Sequence, residues 1–510
     1  MPMRLSGLAT GMDTEALVGQ LMDAQKLKKK KMTGKKTTLE WKRDAWKEMN
    51  KKLTSLYNNS VSKLRLDSTY NAKKASLSDT SKASISAETT AVVGNYTMEV
   101  KDIASAQFLT SGKTNVTGTS QNLSDLGLSG QTITFKAGDK EAVTLTVEDG
   151  TTVNDFLKKA REAGINASYD AGQKKFFFSS KETGAENSFS ITSTGDMSQL
   201  GLKNVEATTT DGKVSYKIDG ADFDPETQDP TGMVLVAAKD SRIILNGAEL
   251  TSASSTVNAN GLSINLISKT KDGEPVNFSV SNDIDKVYDT IKKALKEYND
   301  VMKEMQEKYN AASAKGYEPL TSEEKRAMSD DEVEEWEKKI KDSLFRRDQT
   351  LQGISSSMRT ALQASTTVNG HQYTLSSFGI MTSTNYTEGG LLHIYGDPDD
   401  DVYAAETDKL KKALTENPEE AITALTNIFE GLRSTMFDKM RSTEYSSALT
   451  FYNDKQIDKE LDQYKKDLKA WDDKMADMET AYYKKFAAME SAMAKLQSQS
   501  SSVMGLFGGQ

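Results

Sequence analysis

The C-terminal part of the chain carries an apolar stripe that only a long helix can use. Its apolar side chains recur at alternating steps of four and three, with two successive steps of four around Tyr482. They are Ile457, Leu461, Tyr464, Leu468, Trp471, Met475, Met478, Tyr482, Phe486, Met489, Met493 and Leu496. The spacing predicts one helix over 454–498, about 67 Å long at 1.5 Å per residue. Such a stripe must be covered by another helix or another chain.

The N-terminal region supplies a candidate partner for this helix. Asp13 is placed to cap a helix start. Two apolar groups at helical spacing follow, with heptad-like steps in the second. They are Leu17, Val18, Leu21 and Met22, and then Trp46, Met49, Leu53 and Leu56. We therefore expect the two ends of the chain to pack on one another as a coiled coil or helical bundle.

A lysine-rich block lies between these two apolar groups. Residues 26–53 hold 12 basic and 3 acidic side chains, a local charge of +9 in a chain whose net charge is −9. Glu40, Asp44 and Glu48 recur every four residues within the block, which is typical of an exposed helix face with intrahelical ion pairs. Its most basic part has no stacking aromatics. The block therefore favours a solvated or intersubunit helix face over a nucleic-acid or lipid site.

Residues 76–282 have a different texture, rich in Ser, Thr, Gly and Asn, with short β-type runs and frequent turn signals. We predict strands at 96–100, 132–135, 143–147, 176–179 and 242–245, and one short helix at 153–163 that ends at Gly164. Pro225 and Pro230 indicate a junction between two β-rich parts. Helical periodicity returns from Asp283, so the predicted fold is α+β and multidomain. Its N- and C-terminal helices form a coiled-coil or helical-bundle leg that carries inserted β-rich head domains.

Four regions are expected from these changes along the chain. Residues 1–45 with 480–510 form a terminal helical coiled-coil region, and residues 46–75 with 283–479 form a helical leg domain. Residues 76–106 with 231–282 form a β-rich head domain. Residues 107–230 form a second β-rich head domain inserted into the first.

The composition argues against catalysis and cofactor binding. The chain has no cysteine and only two histidines, His371 and His393, which leaves little material for thiol chemistry, zinc sites or histidine-based catalysis. The familiar nucleotide-binding, hydrolase and zinc motifs do not occur. The acidic group Asp397, Asp399, Asp400 and Asp401 lacks the spacing of an EF-hand and favours an exposed turn over a cation site. We predict no enzyme activity, no cofactor and no metal.

The targeting signals are also sparse. Residues 1–25 lack the apolar stretch and cleavage site of a secretory signal peptide, and no window of the chain is apolar enough for a transmembrane helix. The absence of cysteine suits a chain that crosses an envelope unfolded, and composition alone does not choose between this route and the cytoplasm.

Several segments resemble the hook-associated protein 2 family, which caps the filament of bacterial flagella. Leu5 to Met22 is similar to the opening signature of that family, and Leu39 to Asn50 resembles the version found in Gram-positive members. Further similar segments are Ile165 to Ser179, Tyr317 to Thr321, Phe378 to Ile380, Asp408 to Pro418 and Tyr482 to Ser500. The chain departs from the family after Ile394, where it runs into an insertion-like acidic loop.

This resemblance implies an extracellular structural role at the distal tip of the flagellum. Members are exported unfolded by the flagellar type III apparatus on an N-terminal signal, with a cytoplasmic export chaperone as an early partner. They assemble into a homo-oligomeric ring, usually a pentamer, which retains flagellin and promotes its folding and insertion. The alternatives are a hook-filament junction or flagellin-like axial protein, or an adhesin that binds host glycans through the β-rich head. No nucleic acid and no membrane insertion are expected.

A set of apolar side chains near the two ends is our hypothesis for helical packing and filament contact. Those near the N-terminus would pack on the C-terminal stripe, and the last four would grip the filament end or the chaperone. The set is Leu17, Leu21, Trp46, Met49, Leu53, Leu56, Leu461, Leu468, Trp471, Met475, Phe486, Met489, Met493 and Leu496.

Overall fold

A computed structural model describes residues 13–383, 388–400 and 402–507 of the chain. The first part of the predicted opening signature, with the export signal, and Asp401 of the acidic group lie outside these residues. The described chain divides into two compact units. The first runs up to Tyr70 and resumes at Ile284, and the second spans Asn71–Asp283.

Helices dominate the first unit. Asp13 caps the first of them, because its carboxylate accepts a hydrogen bond from the amide of Ala16 at 2.9 Å. A π-helical turn, Tyr57–Val61, follows that helix. In chain order, the helices of the whole described chain are α1 (Thr14–Leu56), α2 (Ser62–Leu64), α3 (Asp67–Tyr70), α4 (Val153–Glu162), α5 (Ile284–Tyr309), α6 (Ser322–Arg326), α7 (Asp330–Asp342), α8 (Gln349–Gln363), α9 (Lys409–Glu416), α10 (Pro418–Lys439) and α11 (Asp454–Phe507).

Antiparallel strands build most of the second unit, and two small hairpins belong to the first. The strands are β1 (Lys73–Leu77), β2 (Ala83–Ala87), β3 (Gly94–Asp102), β4 (Phe108–Thr110), β5 (Thr132–Ala137), β6 (Val143–Thr146), β7 (Ile165–Asp170), β8 (Lys175–Ser180), β9 (Phe189–Ser193), β10 (Val205–Thr210), β11 (Lys213–Ile218), β12 (Ala221–Phe223), β13 (Val234–Val236), β14 (Ser241–Leu245), β15 (Ala248–Ser252), β16 (Thr256–Ala259), β17 (Leu262–Leu266), β18 (Val276–Asn282), β19 (Thr366–Val368), β20 (His371–Tyr373), β21 (Ile380–Thr382) and β22 (Leu392–Ile394).

Buried apolar side chains of the second unit fall into two groups. One group lies on strands from both ends of the unit and includes Met98, Ile243 and Ile264. It belongs to the five-stranded sheet β1-β18-β3-β14-β15 and the three-stranded sheet β16-β17-β2. The other group lies between Leu109 and Leu235 and is rich in phenylalanine. It belongs to the six-stranded sheet β12-β11-β10-β9-β5-β6, the four-stranded sheet β13-β4-β8-β7 and helix α4.

The predicted fold class is confirmed, and the short helix is confirmed almost to the residue. Thr152 and Asp155 form a capping box at its start. Gly164 ends it with φ +92°, a conformation that glycine adopts without steric cost. Each of the five predicted strands lies within or overlaps a strand of the structure.

Two predicted boundaries are wrong. The helical N-terminal region was expected to reach residue 75, yet strand β1 begins at Lys73, which pairs with Asn282 at the far end of the unit. The long C-terminal helix was expected to end at 498, and α11 continues to Phe507 through a run of serines. Serine has a modest helix propensity, and it can be tolerated within an established helix.

Candidate assembly surface

Helices α1 and α11 run antiparallel along one another. The amide of Phe451, just before α11, donates to Asn50 Oδ1 at 2.8 Å. Further along α11, the Trp471 indole N–H donates to the Gln25 carbonyl oxygen at 3.3 Å. Thr14, at the start of α1, donates from its hydroxyl to Glu490 at 3.1 Å. The two ends of the chain therefore form one helical pair.

An aromatic cluster packs at the inner end of this pair, where the C-terminal part of α1 meets the start of α11. Trp46 is buried, and its ring stacks on Tyr452 with centroids 5.4 Å apart. Phe345 meets the other side of Trp46 edge-on at 4.8 Å. Such contacts contribute about 0.5–1.5 kcal/mol each beyond the area they bury. The cluster joins the N-terminal helix to residues that lie some 300 and 400 positions later.

The lysine-rich block faces acidic residues of the same unit. Lys29 pairs with Asp472 of α11 at 2.5 Å, and Lys42 pairs with Asp348 at the start of α8 at 2.7 Å. The Lys28 ammonium lies over the Trp471 ring, 4.1 Å from its centroid. The Lys29–Asp472 pair is exposed and contributes only about 0–1 kcal/mol, whereas the Asp348 carboxylate is largely buried by its surroundings.

The structure places the predicted site residues in three environments. Trp46, Met49, Leu53, Leu56 and Leu461 are buried. Leu17, Leu468, Trp471, Met475 and Phe486 are half-buried. Leu21, Met489, Met493 and Leu496 are exposed.

On α1, the buried residues are Val18 and Met22, each of which is next to a residue that was expected to be buried, Leu17 or Leu21. Val18 and Met22 are nearly inaccessible to solvent, whereas Leu21 is 45% exposed. Leu21 therefore does not lie in the packed seam with α11. The two pairs of adjacent apolar residues were equally compatible with the helical period, and the position of α11 decides between them.

The apolar side chains near the C-terminal end of α11 form an exposed strip, which begins at Met489. Met493 is 47% exposed and Leu496 is 60% exposed. Val503 and Met504 extend the strip toward the end of the helix. Sequence reasoning missed these two residues because it ended the helix at 498, although seven residues separate Leu496 from Val503, which continues the heptad step. The contact of these side chains with a filament or a chaperone remains a prediction.

The acidic group after β22 is exposed only in part: Pro398 and Asp399 are exposed as expected, whereas Asp397 is buried and Asp400 is half-buried. Asp397 is buried, and Lys292 of α5 donates to both Asp397 and Asp399 at 2.6 Å. His393 Nδ1 lies 2.6 Å from Asp400 Oδ2. Within the described residues, no group of three or more acidic, histidine or cysteine side chains has the geometry of a metal site. The cluster ties the loop to α5 and β22.

We expect acid to loosen this loop. Burial raises the pKa of Asp400, but hydrogen bonds from His393 and from the amides of Val402 and Tyr403 outweigh it, so the net pKa lies below the usual value. A depressed pKa stabilises the folded loop above the ordinary carboxyl pKa of about 3.9, and this contribution is lost as the pH falls through the lower folded value. Lys292, Asp397, Asp399 and Glu388 complete the charged surroundings.

Amide hydrogen exchange, corrected for its intrinsic pH dependence, measures this effect. In Asp400→Asn the Tyr403 amide should exchange about tenfold faster at neutral pH, as expected for the loss of charge-assisted hydrogen bonds. Its protection should no longer depend on acid. Asp438→Asn, an exposed change at the end of α10, is the control. Unchanged Tyr403 protection in Asp400→Asn would show that Asp400 does not hold the loop.

No helix of the described chain is long and apolar enough to cross a bilayer.

Family models match both ends of the chain. The model described as "Flagellar hook-associated protein 2 C-terminus" matches residues 238–498. The model described as "Flagellar hook-associated protein 2 N-terminus" matches residues 10–107. The C-terminal match alone covers more than half of the chain.

Individual relatives agree with these matches. The chain is 29% identical over 449 residues to flagellar hook-associated protein 2 of Halalkalibacterium halodurans, covering 82% of this chain and 78% of the relative. It is 26% identical over 313 residues to A-type flagellar hook-associated protein 2 of Pseudomonas aeruginosa, covering 58% of this chain and 61% of the relative. The D1-D2-D3 crystal structure of the flagellar cap protein FliD from Escherichia coli superposes with a TM-score of 0.50 and 18% identity, over 78% of this chain and 96% of that one. This last likeness concerns the fold.

Proposed function

Because the chain belongs to the flagellar hook-associated protein 2 family, we propose that its paired terminal helices seat it on the end of a growing flagellar filament. The protein is a filament cap, located outside the cell at the distal tip of the flagellum. In that position it retains exported flagellin and promotes its folding and insertion. The alternatives of a junction protein, a flagellin-like subunit or a glycan-binding adhesin are not favoured by the family matches.

The exposed apolar strip of α11 is the observation that supports this role. Met489, Met493, Leu496, Val503 and Met504 lie on one side of the last turns of α11, with a large exposed fraction each. Contiguous exposed apolar side chains of this kind mark interaction sites more often than ordinary surface. We propose that the strip covers apolar surface at the filament end.

We propose that the four predicted regions make different contacts within the assembly. The terminal coiled coil and the helical leg would contact the filament. The two β-rich regions, 76–106 with 231–282 and 107–230, would form the plate of the cap. We propose that the chain forms an oligomer that sits on flagellin at the filament tip. We extend this to a ring of five copies, which requires head-to-tail contacts between neighbours.

Two earlier partners belong to the same proposal. The flagellar type III apparatus would export the unfolded chain, and a cytoplasmic chaperone would cover the α11 strip before export. The role is structural: shape and contact supply the function, and no step requires covalent chemistry.

A motility and secretion experiment tests the proposal directly. A strain that lacks this chain should release monomeric flagellin into the medium and build few long filaments, and expression of the chain should restore both. Gold-labelled antibody should then mark filament tips only, and averaged images of the tips should show five subunits. Lateral labelling along filaments, or unchanged flagellin retention without the chain, would contradict a capping role.

A further inference from the structure

A small pocket in the helical unit contains an arginine that has no partner. The pocket lies between α5, α8 and the β21–β22 hairpin and has a volume of about 210 Å³. Its walls include Tyr298, Leu362, Leu375, Ile380 and Leu392, which make them largely apolar. Arg359 of α8 lies among them. Within the described chain, Arg359 makes no ion pair, and its buried Nε has no hydrogen-bond partner.

Arg359 differs in this respect from other half-buried charged residues of the same unit, which have carboxylate partners. Buried charged groups in proteins are normally paired or hydrogen-bonded, because an unmatched donor costs about 1–3 kcal/mol. Elsewhere in the same unit Arg433 is held by Glu430 at 2.6 Å, and Lys292 is held by two carboxylates. Arg359 as a whole is half-buried, and its buried Nε is left without such a partner in a largely apolar pocket, which points to a ligand from outside the chain.

The walls of the pocket are held in place before any ligand arrives. Asn299 of α5 donates from its amide to the Leu392 carbonyl oxygen at 2.7 Å and accepts from the Leu392 amide at 2.8 Å. Gly390 lies beside the arginine, and a Cβ there would be in ordinary van der Waals contact with Arg359 Nε at 3.7 Å. The two Asn299 hydrogen bonds fix the β22 wall of the pocket against α5, which lowers the cost of ordering that wall when a ligand binds.

The chemistry of the walls selects the ligand. A guanidinium presents a planar fork of donors that matches a carboxylate in two parallel hydrogen bonds. The hydroxyls of Thr374 and Ser376, 2.7 Å apart at the pocket edge, add polar partners. One cation with an apolar floor suits a singly charged group on a carbon chain better than phosphate. The volume lies below the roughly 300–1,000 Å³ of typical small-molecule pockets, so it fits one or two side chains.

We infer that this pocket, the Arg359 pocket, binds a peptide carboxylate presented by a partner chain next to an apolar side chain. The carboxylate would pair with Arg359, and the neighbouring apolar group would fill the space beside Leu375 and Leu392. The pocket lies on α5 and α8 rather than on the α11 strip, so it provides a second, polar anchor that does not depend on the proposed capping contact.

The Arg359 Nε–H resonance of the full chain, labelled with ¹⁵N-arginine, reports on the pocket directly. The probe is the dipeptide acetyl-Leu-Glu-amide, and its neutral match is acetyl-Leu-Gln-amide. We expect a saturable shift of the Arg359 signal with the glutamate peptide and none with its glutamine match. A third peptide, acetyl-Leu-Leu with a free carboxyl terminus, distinguishes a main-chain carboxylate from a side-chain one. A saturable shift with either acidic peptide supports the inference and identifies the source.

Variants test whether binding of the peptide depends on Arg359 or on other positive charges at the surface. By isothermal titration calorimetry, which does not need the arginine signal, Arg359→Gln should weaken binding of the acidic peptide about tenfold or more, and Arg359→Lys, which keeps the charge but loses the fork, should weaken it less. Arg326→Gln, an exposed change on α6, is the matched control and should bind normally. Absence of a saturable shift in the unmodified protein would overturn the inference. Equal shifts with acetyl-Leu-Gln-amide or with inorganic phosphate would overturn it as well.

Discussion

Replacing both Met493 and Leu496 by aspartate should abolish capping and leave the protein folded. Both side chains are largely exposed, so the change removes little from the core of the helical unit. In the proposed filament contact, each new carboxylate would be moved from water into an apolar surface without a partner. A cost of about 2 kcal/mol for each, about 4 kcal/mol together, implies a loss of roughly 1,000-fold in affinity for the filament tip. Soft-agar motility and flagellin in the culture medium measure the loss.

A matched variant on the opposite face of the same helix controls for charge. Ser491 and Ser498 lie about half a turn away from the strip, and the double change Ser491→Asp with Ser498→Asp adds the same two charges. This control should swim normally. Circular dichroism should show equal helicity for both double variants. If the strip variant capped filaments as well as the control, the apolar strip would not be the filament contact.

Replacement of Trp46 by alanine should have the largest effect on stability. Trp46 is 2% exposed and packs against Tyr452 and Phe345, so the change removes two aromatic contacts and opens a cavity where α1 meets the start of α11. Large-to-small aromatic changes in cores cost about 3–5 kcal/mol. Urea unfolding followed by circular dichroism at 222 nm, where the helical unit dominates, should show the loss as an earlier helical transition.

Trp41→Ala is the control for this change. Trp41 lies about one and a half turns earlier on α1 and is half-buried, with the Lys341 ammonium 4.7 Å from its ring centroid. Its loss should cost about 1 kcal/mol. Equal shifts of the helical transition in the two variants would mean that the Trp46 cluster is not the point at which the terminal helices are joined.

Local periodicity was enough to find both helices of the terminal pair and the buried side chains at its inner end. It could not decide between Leu21 and Met22, because both satisfy a helical period and only the direction of α11 selects one. The inward turn of Asp397 depends on Lys292, which lies 105 residues earlier in the chain. The same holds for β1, whose alternation is weak and whose partner β18 lies at the other end of the β-rich unit.

The Arg359 pocket illustrates the same limit for a site. Its walls come from α5, α8 and the β21–β22 hairpin, and none of these segments carries a recognisable motif. An arginine on a helix is ordinarily a solvated surface residue, so its sequence context gave no signal. Only the three-dimensional arrangement shows that Arg359 Nε is buried without a hydrogen-bond partner.

The contact between Thr14 and Glu490 joins positions 476 residues apart. The β-rich unit, by contrast, is one uninterrupted stretch of chain with its own buried groups. For a chain that emerges N-terminus first, the β-rich unit can therefore mature early, while α1 waits for the final segment. A product that is cut short before α11 lacks the helix that covers the buried face of α1, so only a chain that includes both ends can form the helical pair.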